Sequence, residues 1–143
     1  MKKVLFFLSA ACMLMITACE IETSGNGDLD GYWHLDQIDS LSNNTIVNYG
    51  DHNIFWSFQS DLLQLSNLSD KPIIYKFILE NATLTLSNPC LFDRTTGDSL
   101  ITDVDVLRPY GVNAIPEYFK VTHLNNSNLT IESPILRLHF KKH

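Results

Sequence analysis

Ile54-Phe55-Trp56-Ser57-Phe58-Gln59-Ser60-Asp61-Leu62-Leu63-Gln64-Leu65 carries the strongest structural signal in the chain. Large apolar residues alternate with polar ones, the two-residue period of a half-buried strand. Trp56 and Phe58 share one parity, whereas Leu63 and Leu65 share the other. The register must therefore shift near Ser60-Asp61, by a bulge in one long strand or a tight turn between two. A bulge is expected, because Ser-Asp lacks the Gly or Asn that a two-residue hairpin favours.

The same period recurs on both sides of this stretch. Gly31 to Asp39 reads as a strand with Trp33, Leu35 and Gln37 on one face and Tyr32, His34, Asp36 and Ile38 on the other. Asp39 to His52 is rich in Asn, Ser and Asp and reads as a loop, with a short extended piece at Thr45 to Tyr49. Ile73 to Leu79 puts Ile73, Tyr75, Phe77 and Leu79 on one face, and Ala82 to Ser87 is its hairpin partner. Asn88 to Thr102 is irregular. Thr102 to Arg108 is expected to form a helix of one or two turns, capped by Thr102 and stopped by Pro109. Three strands close the chain: Glu117 to Leu124, Asn128 to Glu132 and Ile135 to Lys141. In the last, Leu136, Leu138 and Phe140 oppose Arg137, His139 and Lys141.

Seven or eight short-linked strands and at most one short helix predict an all-β fold. Short turns between consecutive strands favour an antiparallel up-and-down meander. Closure into a small barrel removes the exposed edges.

The N-terminus addresses compartment rather than fold. Lys2 and Lys3 precede an apolar run from Val4 to Ile16, the pattern of a secretory signal. The run breaks at Glu20, short of the roughly 20 residues a membrane span needs. Ile16-Thr17-Ala18-Cys19 resembles the lipobox of bacterial lipoproteins. That resemblance implies cleavage before Cys19 and lipidation of its thiol. Several acyl chains exceed the single-chain limit for stable anchoring. The expected organisation is a signal peptide over 1–18, a flexible tether over 19–30 and a barrel domain over 31–143. The expected location is the cell envelope, at the outer membrane.

Removing 1–18 takes away two of the ten basic residues and none of the sixteen acidic ones, so the formal charge falls from −6 to −8. Such a surface argues against nucleic acid and anionic lipid as partners. On the lipobox resemblance, Cys12 is expected to leave with the signal and Cys19 to carry the lipid. Cys90 then remains alone, no intramolecular disulfide is expected, and the thiol reads as buried and inert.

Asp30-Gly31-Tyr32-Trp33 resembles the Gly-x-Trp signature of lipocalins. Phe119-x-Val121-x-x-Leu124-Asn125, Leu129-x-Ile131 and Leu138-x-Phe140-Lys141-Lys142 resemble the closing meander of small lipocalin-like domains, which occur in secreted lipoproteins of gut-dwelling Gram-negative anaerobes. Trp56-Ser57-Phe58-Gln59 and Leu107-Arg108-Pro109-Tyr110-Gly111 extend the similarity over most of Leu29 to Lys142. The resemblance implies that Trp33 plugs one end of the barrel, that Gly31 lets the chain pass close beneath it, and that a late Arg stacks on the Trp. Arg137 is the candidate and Lys141 the fallback. Thr102-Asp103-Val104 departs from the Thr-Asp-Tyr of the family.

No catalytic set is legible. His34, His52, His123, His139 and His143 form no metal-ligand spacing, although barrel closure could bring the strands of His34, His123 and His139 together. Asp98, Asp103 and Asp105 lack EF-hand spacing. No enzyme activity, metal or cofactor is expected. Asp39-Ser40-Leu41 and Asp98-Ser99-Leu100 match an acceptor pattern for O-glycosylation at Ser40 and Ser99, both placed in loops or turns. Two readings of the aromatics stay open. Trp56, Phe58, Tyr75 and Phe77 could line a site for a small apolar ligand. They could equally fill the barrel, since eight strands enclose little more than their own side chains. The first reading makes a binding module, the second an accessory protein that contacts an envelope partner. A hollow of about 300 Å³ or more opposite Trp33 would favour the first.

Overall fold

The computed structural model describes residues 25–143, so the signal peptide, Cys19 and the tether up to residue 24 lie outside the described residues. Ten strands form one antiparallel sheet: β1 (Gly31–Ser40), β2 (Ile46–Asn48), β3 (Phe55–Gln59), β4 (Leu62–Ser66), β5 (Ile73–Glu80), β6 (Thr83–Leu91), β7 (Ser99–Leu100), β8 (Glu117–Leu124), β9 (Asn128–Glu132) and β10 (Leu136–Lys142). Eight of them close a ring in the order β1-β3-β4-β5-β6-β8-β9-β10, and β10 pairs back onto β1. β2 and β7 are short additions on β1 and β6. Among the described residues, helical structure is limited to 3-10 turns at Gly27–Leu29, Val104–Val106 and Arg108–Tyr110. Among the described residues no helix is long and apolar enough to cross a membrane.

The stretch from 54 to 65 is a hairpin, not a bulged strand. Phe58 pairs with Leu63 and Gln59 with Leu62 across a two-residue turn. Such a turn always pairs residues of opposite parity, which accounts for the switch between Trp56/Phe58 and Leu63/Leu65. Ser60 supplies the turn with a positive φ of 55°, a conformation more usual for Gly or Asn.

Bulges do occur elsewhere; one corrects a face assignment and another the end of a strand. In β1 the register shifts at Asp36, so Ile38 turns inward and Gln37 outward. In β6, Asn88 and Pro89 stand opposite Tyr75, and the strand continues to Leu91 instead of ending at Ser87. Asn88 has φ 54°. A bulge is where a strand tolerates Pro.

The start of the domain also moves. Residues expected in the tether are part of the fold: Leu29 is fully buried and Asn26 Nδ2 donates to Ser60 O at 2.6 Å. The helix expected over Thr102 to Arg108 is two consecutive 3-10 turns. Asp103, not Thr102, caps the first, and Pro109 lies within the second. The β-branched valines at 104 and 106 disfavour a longer α-helix.

Inward-facing side chains fill the ring. Trp33, Trp56, Phe58, Tyr75, Phe119 and Phe140 are its largest fully buried members. Outside, charges alternate across four strands: Lys120 lies opposite Glu132, Glu132 opposite Arg137, and Arg137 opposite Asp39. Arg137 Nε donates to Glu132 at 2.6 Å, and His139 bonds Asp39 Oδ2 at 2.7 Å. Burial alone would raise the Asp39 pKa; the bonds from His139 and Gln37 and the nearby positive charges outweigh it and hold it lowered.

Candidate functional site

The two barrel ends are built differently. At the end where the chain enters, Trp33 is buried and its Nε1 donates to Leu29 O at 2.8 Å. The cation over its ring is Lys142, with Nζ 4.9 Å from the ring centroid. Neither Arg137 nor Lys141 takes that place. Arg137 lies on the outer face against Glu132 and Asp39, and Lys141 lies beside Asp36. The parity of β10 explains this: Leu138 and Phe140 point inward, so the next inward residue is 142. Gly31 makes room, for at φ +134° a Cβ there would stand 2.6 Å from Lys142 Cε.

At the opposite end the long connection between β6 and β8 folds over the mouth. Asp93 organises its first half. Its carboxylate accepts from Lys71 Nζ, Thr96 Oγ1 and the Thr95 and Thr96 amides. The Lys71 bond first, then those from Thr96 and Thr95, hold its pKa well below the ordinary carboxylate range. The unfolded chain, with an ordinary pKa near 3.9, binds this proton first as pH falls. Stability contributed by Asp93 is therefore complete above about pH 4–5 and is lost as pH drops below it. Urea midpoints measured from pH 6 to pH 3 should fall, and Asp93→Asn should flatten that slope.

The second half of the connection seals the barrel. Leu107, Tyr110 and Val112 are buried, and Trp56 Nε1 donates to Tyr110 O at 3.1 Å. Beside this cap lies a hollow of about 330 Å³, open to solvent and lined by Asn67, Asp70, Lys71, Ile73, Leu91, Val106, Pro109 and Tyr110. The β4–β5 loop forms one wall, the paired ends Ile73 and Leu91 the floor, and the 3-10 turns the other wall. Ile46, Val47, Leu68, Leu100, Val106, Ile115 and Ile135, all substantially exposed, belong to the segments at this same end. A second hollow, of about 380 Å³, sits on the outer surface of β3–β5 and is lined by Leu62 and Ile74 together with Ser57, Gln59, Ser60 and Gln64. The two linings are similarly apolar, and position decides between them: the mouth hollow gathers residues from three segments at the barrel mouth, where small-molecule sites are preferentially found.

The aromatics singled out as ligand contacts are elsewhere. Trp56, Phe58, Tyr75 and Phe77 are buried in the barrel and none lines the mouth hollow. Phe58 and Phe77 meet edge to face with centroids 5.2 Å apart, and Trp56 packs on Phe140 at 5.1 Å and Phe119 at 5.6 Å. These rings are core. Tyr75 Oη is buried with no hydrogen-bond partner. Burial, and then the negative charge of Glu117, raise its pKa, so the group stays neutral. Removing an unsatisfied buried hydroxyl relieves its desolvation cost, so Tyr75→Phe should gain about 1 kcal/mol in denaturant unfolding.

The remaining candidates do not converge. His139 is held by Asp39, His123 lies beside Asn125, and His34 bonds His52 O and stacks on Phe55 at 4.8 Å. His123 and His139 both face Thr130, one strand apart on either side. Among the described residues no group of three His, Cys, Asp or Glu is placed to hold a metal ion. Ser40 ends β1 and Ser99 begins β7, so both lie in strands and not in loops or turns. Cys90 is half-exposed on β6, not buried, with its thiol 3.6 Å from Asn88 O. Lys142, Asp93, Lys71 and Tyr110 were absent from the sequence-level candidates. Only Lys142 carried a readable signal, the inward parity of β10.

The profile of a lipocalin-like domain matches residues 13–143. The chain belongs to this lipocalin-like family. A lipocalin-like protein from Bacteroides uniformis ATCC 8492 shares the fold, with a TM-score of 0.63 at 21% identity over 82% of this chain and all of the other. An uncharacterized protein from Bacteroides eggerthii DSM 20697 shares it with a TM-score of 0.55 at 15% identity, over 80% of this chain and 98% of the other. No curated protein matches. The lipocalin-like fold is generally a binding fold and not a catalytic one. In this lipocalin-like chain the ring is closed, plugged by Trp33 at one end and capped at the other.

Proposed function

We propose that this lipocalin-like protein is a non-catalytic, lipid-anchored protein of the cell envelope that holds a small apolar molecule at the barrel mouth. The observation that carries the reading is the hollow of about 330 Å³ opposite Trp33. It is within the range of small-molecule sites, at the small end. Ile73, Leu91, Val106 and Pro109 would take the apolar part of the ligand, and Asn67, Asp70 and Lys71 its polar end. Because the barrel interior is filled, the ligand rests on the core and does not enter it. The lipobox-like Ile16-Thr17-Ala18-Cys19 supports anchoring through Cys19 at the outer membrane.

Two experiments test the two halves. Native mass spectrometry of protein purified from its source should show a co-purified small molecule, and repeated absence would count against binding. Cys19→Ala should release the protein from the membrane fraction; retention there would sink the anchor. One observation favours a second reading. The packed interior and the exposed Ile46, Leu68 and Ile135 at the mouth also suit an accessory protein that meets an envelope partner through this end.

A further inference from the structure

The charges around the mouth are unevenly matched. Lys71 lines the hollow, but its ammonium is committed to Asp93. That carboxylate is buried and held by three further donor groups, so it stays ionised and keeps Lys71 neutralised. Asp70 also lines the hollow and has no such cation. Its Oδ2 accepts from the neutral amide of Asn67 at 2.7 Å, and its backbone N–H donates to Asn67 Oδ1 at 2.8 Å. Among the described residues no Lys, Arg or His pairs with Asp70. It shares the lining with Tyr110, whose phenol pKa is raised by burial and then by the Asp70 charge. On the 3-10 turns beside the hollow, Asp105 pairs with Arg108 at 3.1 Å and is self-compensated. The hollow therefore has apolar walls and one uncompensated negative charge at its polar side.

We infer that the mouth selects a short amphiphile with a cationic amine head, bound by the Asp70 carboxylate, and discriminates against carboxylate-headed molecules of the same length. The inference rests on the binding reading above and adds the class of ligand. The alkyl or ring portion lies on Ile73, Leu91, Val106 and Pro109. The ammonium donates to the carboxylate oxygen that Asn67 leaves open. A fatty-acid head would face Asp70 with no free cation to offset it, because Lys71 is already paired. The acidic surface of the whole domain acts in the same direction.

The test is titration of the full chain with decylamine, decanol and decanoate, followed by tryptophan fluorescence, since Trp56 bonds the backbone of Tyr110 in the hollow wall. Decylamine should bind about tenfold more tightly than decanoate, with decanol between them. Added salt should shrink that ratio. Asp70→Asn, which keeps an oxygen for Asn67 to donate to, should bring the ratio close to one without weakening decanol. Binding of decanoate as tight as decylamine, or an Asp70→Asn protein that keeps the ratio, overturns the head-group inference alone. Failure of all three probes to bind overturns the binding reading and the inference together.

Discussion

Trp56→Ala is expected to cost roughly 4 kcal/mol and to leave little of the domain folded at 37 °C. Trp56 is fully buried where three parts of the fold meet. It pairs with Trp33 across β1 and β3, packs on Phe119 and Phe140 from the closing strands, and holds the mouth cap through Tyr110 O. Truncation removes the transfer free energy of the largest side chain type, opens a cavity in a ring that cannot collapse freely, and strips a buried carbonyl of its donor. Trp56→Phe separates these effects. It keeps most of the ring packing and loses the hydrogen bond, so it should cost about 1–2 kcal/mol and selectively loosen residues 104–112. Equilibrium urea unfolding gives the totals, and hydrogen exchange at residues 104–112 gives the selectivity.

Gly111→Ala is the second large effect, expected at about 2–4 kcal/mol. Gly111 ends the second 3-10 turn with φ +89°, which an L side chain rarely adopts. A Cβ there would stand 2.8 Å from Leu138 Cδ1, and Leu138 is itself fully buried on β10. The strain and the clash act together, and both lift the cap from the barrel. Shortening the obstacle should recover only the clash. The Gly111→Ala, Leu138→Ala double variant should therefore be less destabilised than the sum of the singles, while the backbone cost remains. Strict additivity would mean that the two residues do not press on each other.

The class of fold was legible because its signal is repeated. Seven stretches with a two-residue period, most of them joined by short turns, leave few alternatives to a closed meander, and the ring realises it. What was not legible depended on single residues in unusual backbone states. Ser60 turns a hairpin that its identity does not advertise, and Asn88 with Pro89 bends β6 where a strand end was expected. The extra residue at Asp36 reverses the faces of Gln37 and Ile38. Periodicity reports a face only until the first bulge.

The site was less legible than the fold. Aromatic residues at inward positions are equally consistent with a pocket and with a core. The decision is made by the 92–116 connection, which lacks periodicity and caps the mouth. Its apolar anchors Leu107, Tyr110 and Val112 are spaced for no regular element, and the Lys71–Asp93 pair joins two loops that are 22 residues apart. Arg137 was chosen by residue type, whereas the geometry chose Lys142 by parity.

In the proposed binding mode the ligand rests in the mouth hollow and not inside the barrel. Decylamine affinity in two variants distinguishes the two places. Leu91→Trp fills the hollow from its floor, whereas Phe77→Leu opens space in the core away from it. Loss of binding in Leu91→Trp, with Phe77→Leu binding as the parent does, is the predicted result. Binding that survives Leu91→Trp but changes with Phe77→Leu would place the ligand within the ring instead.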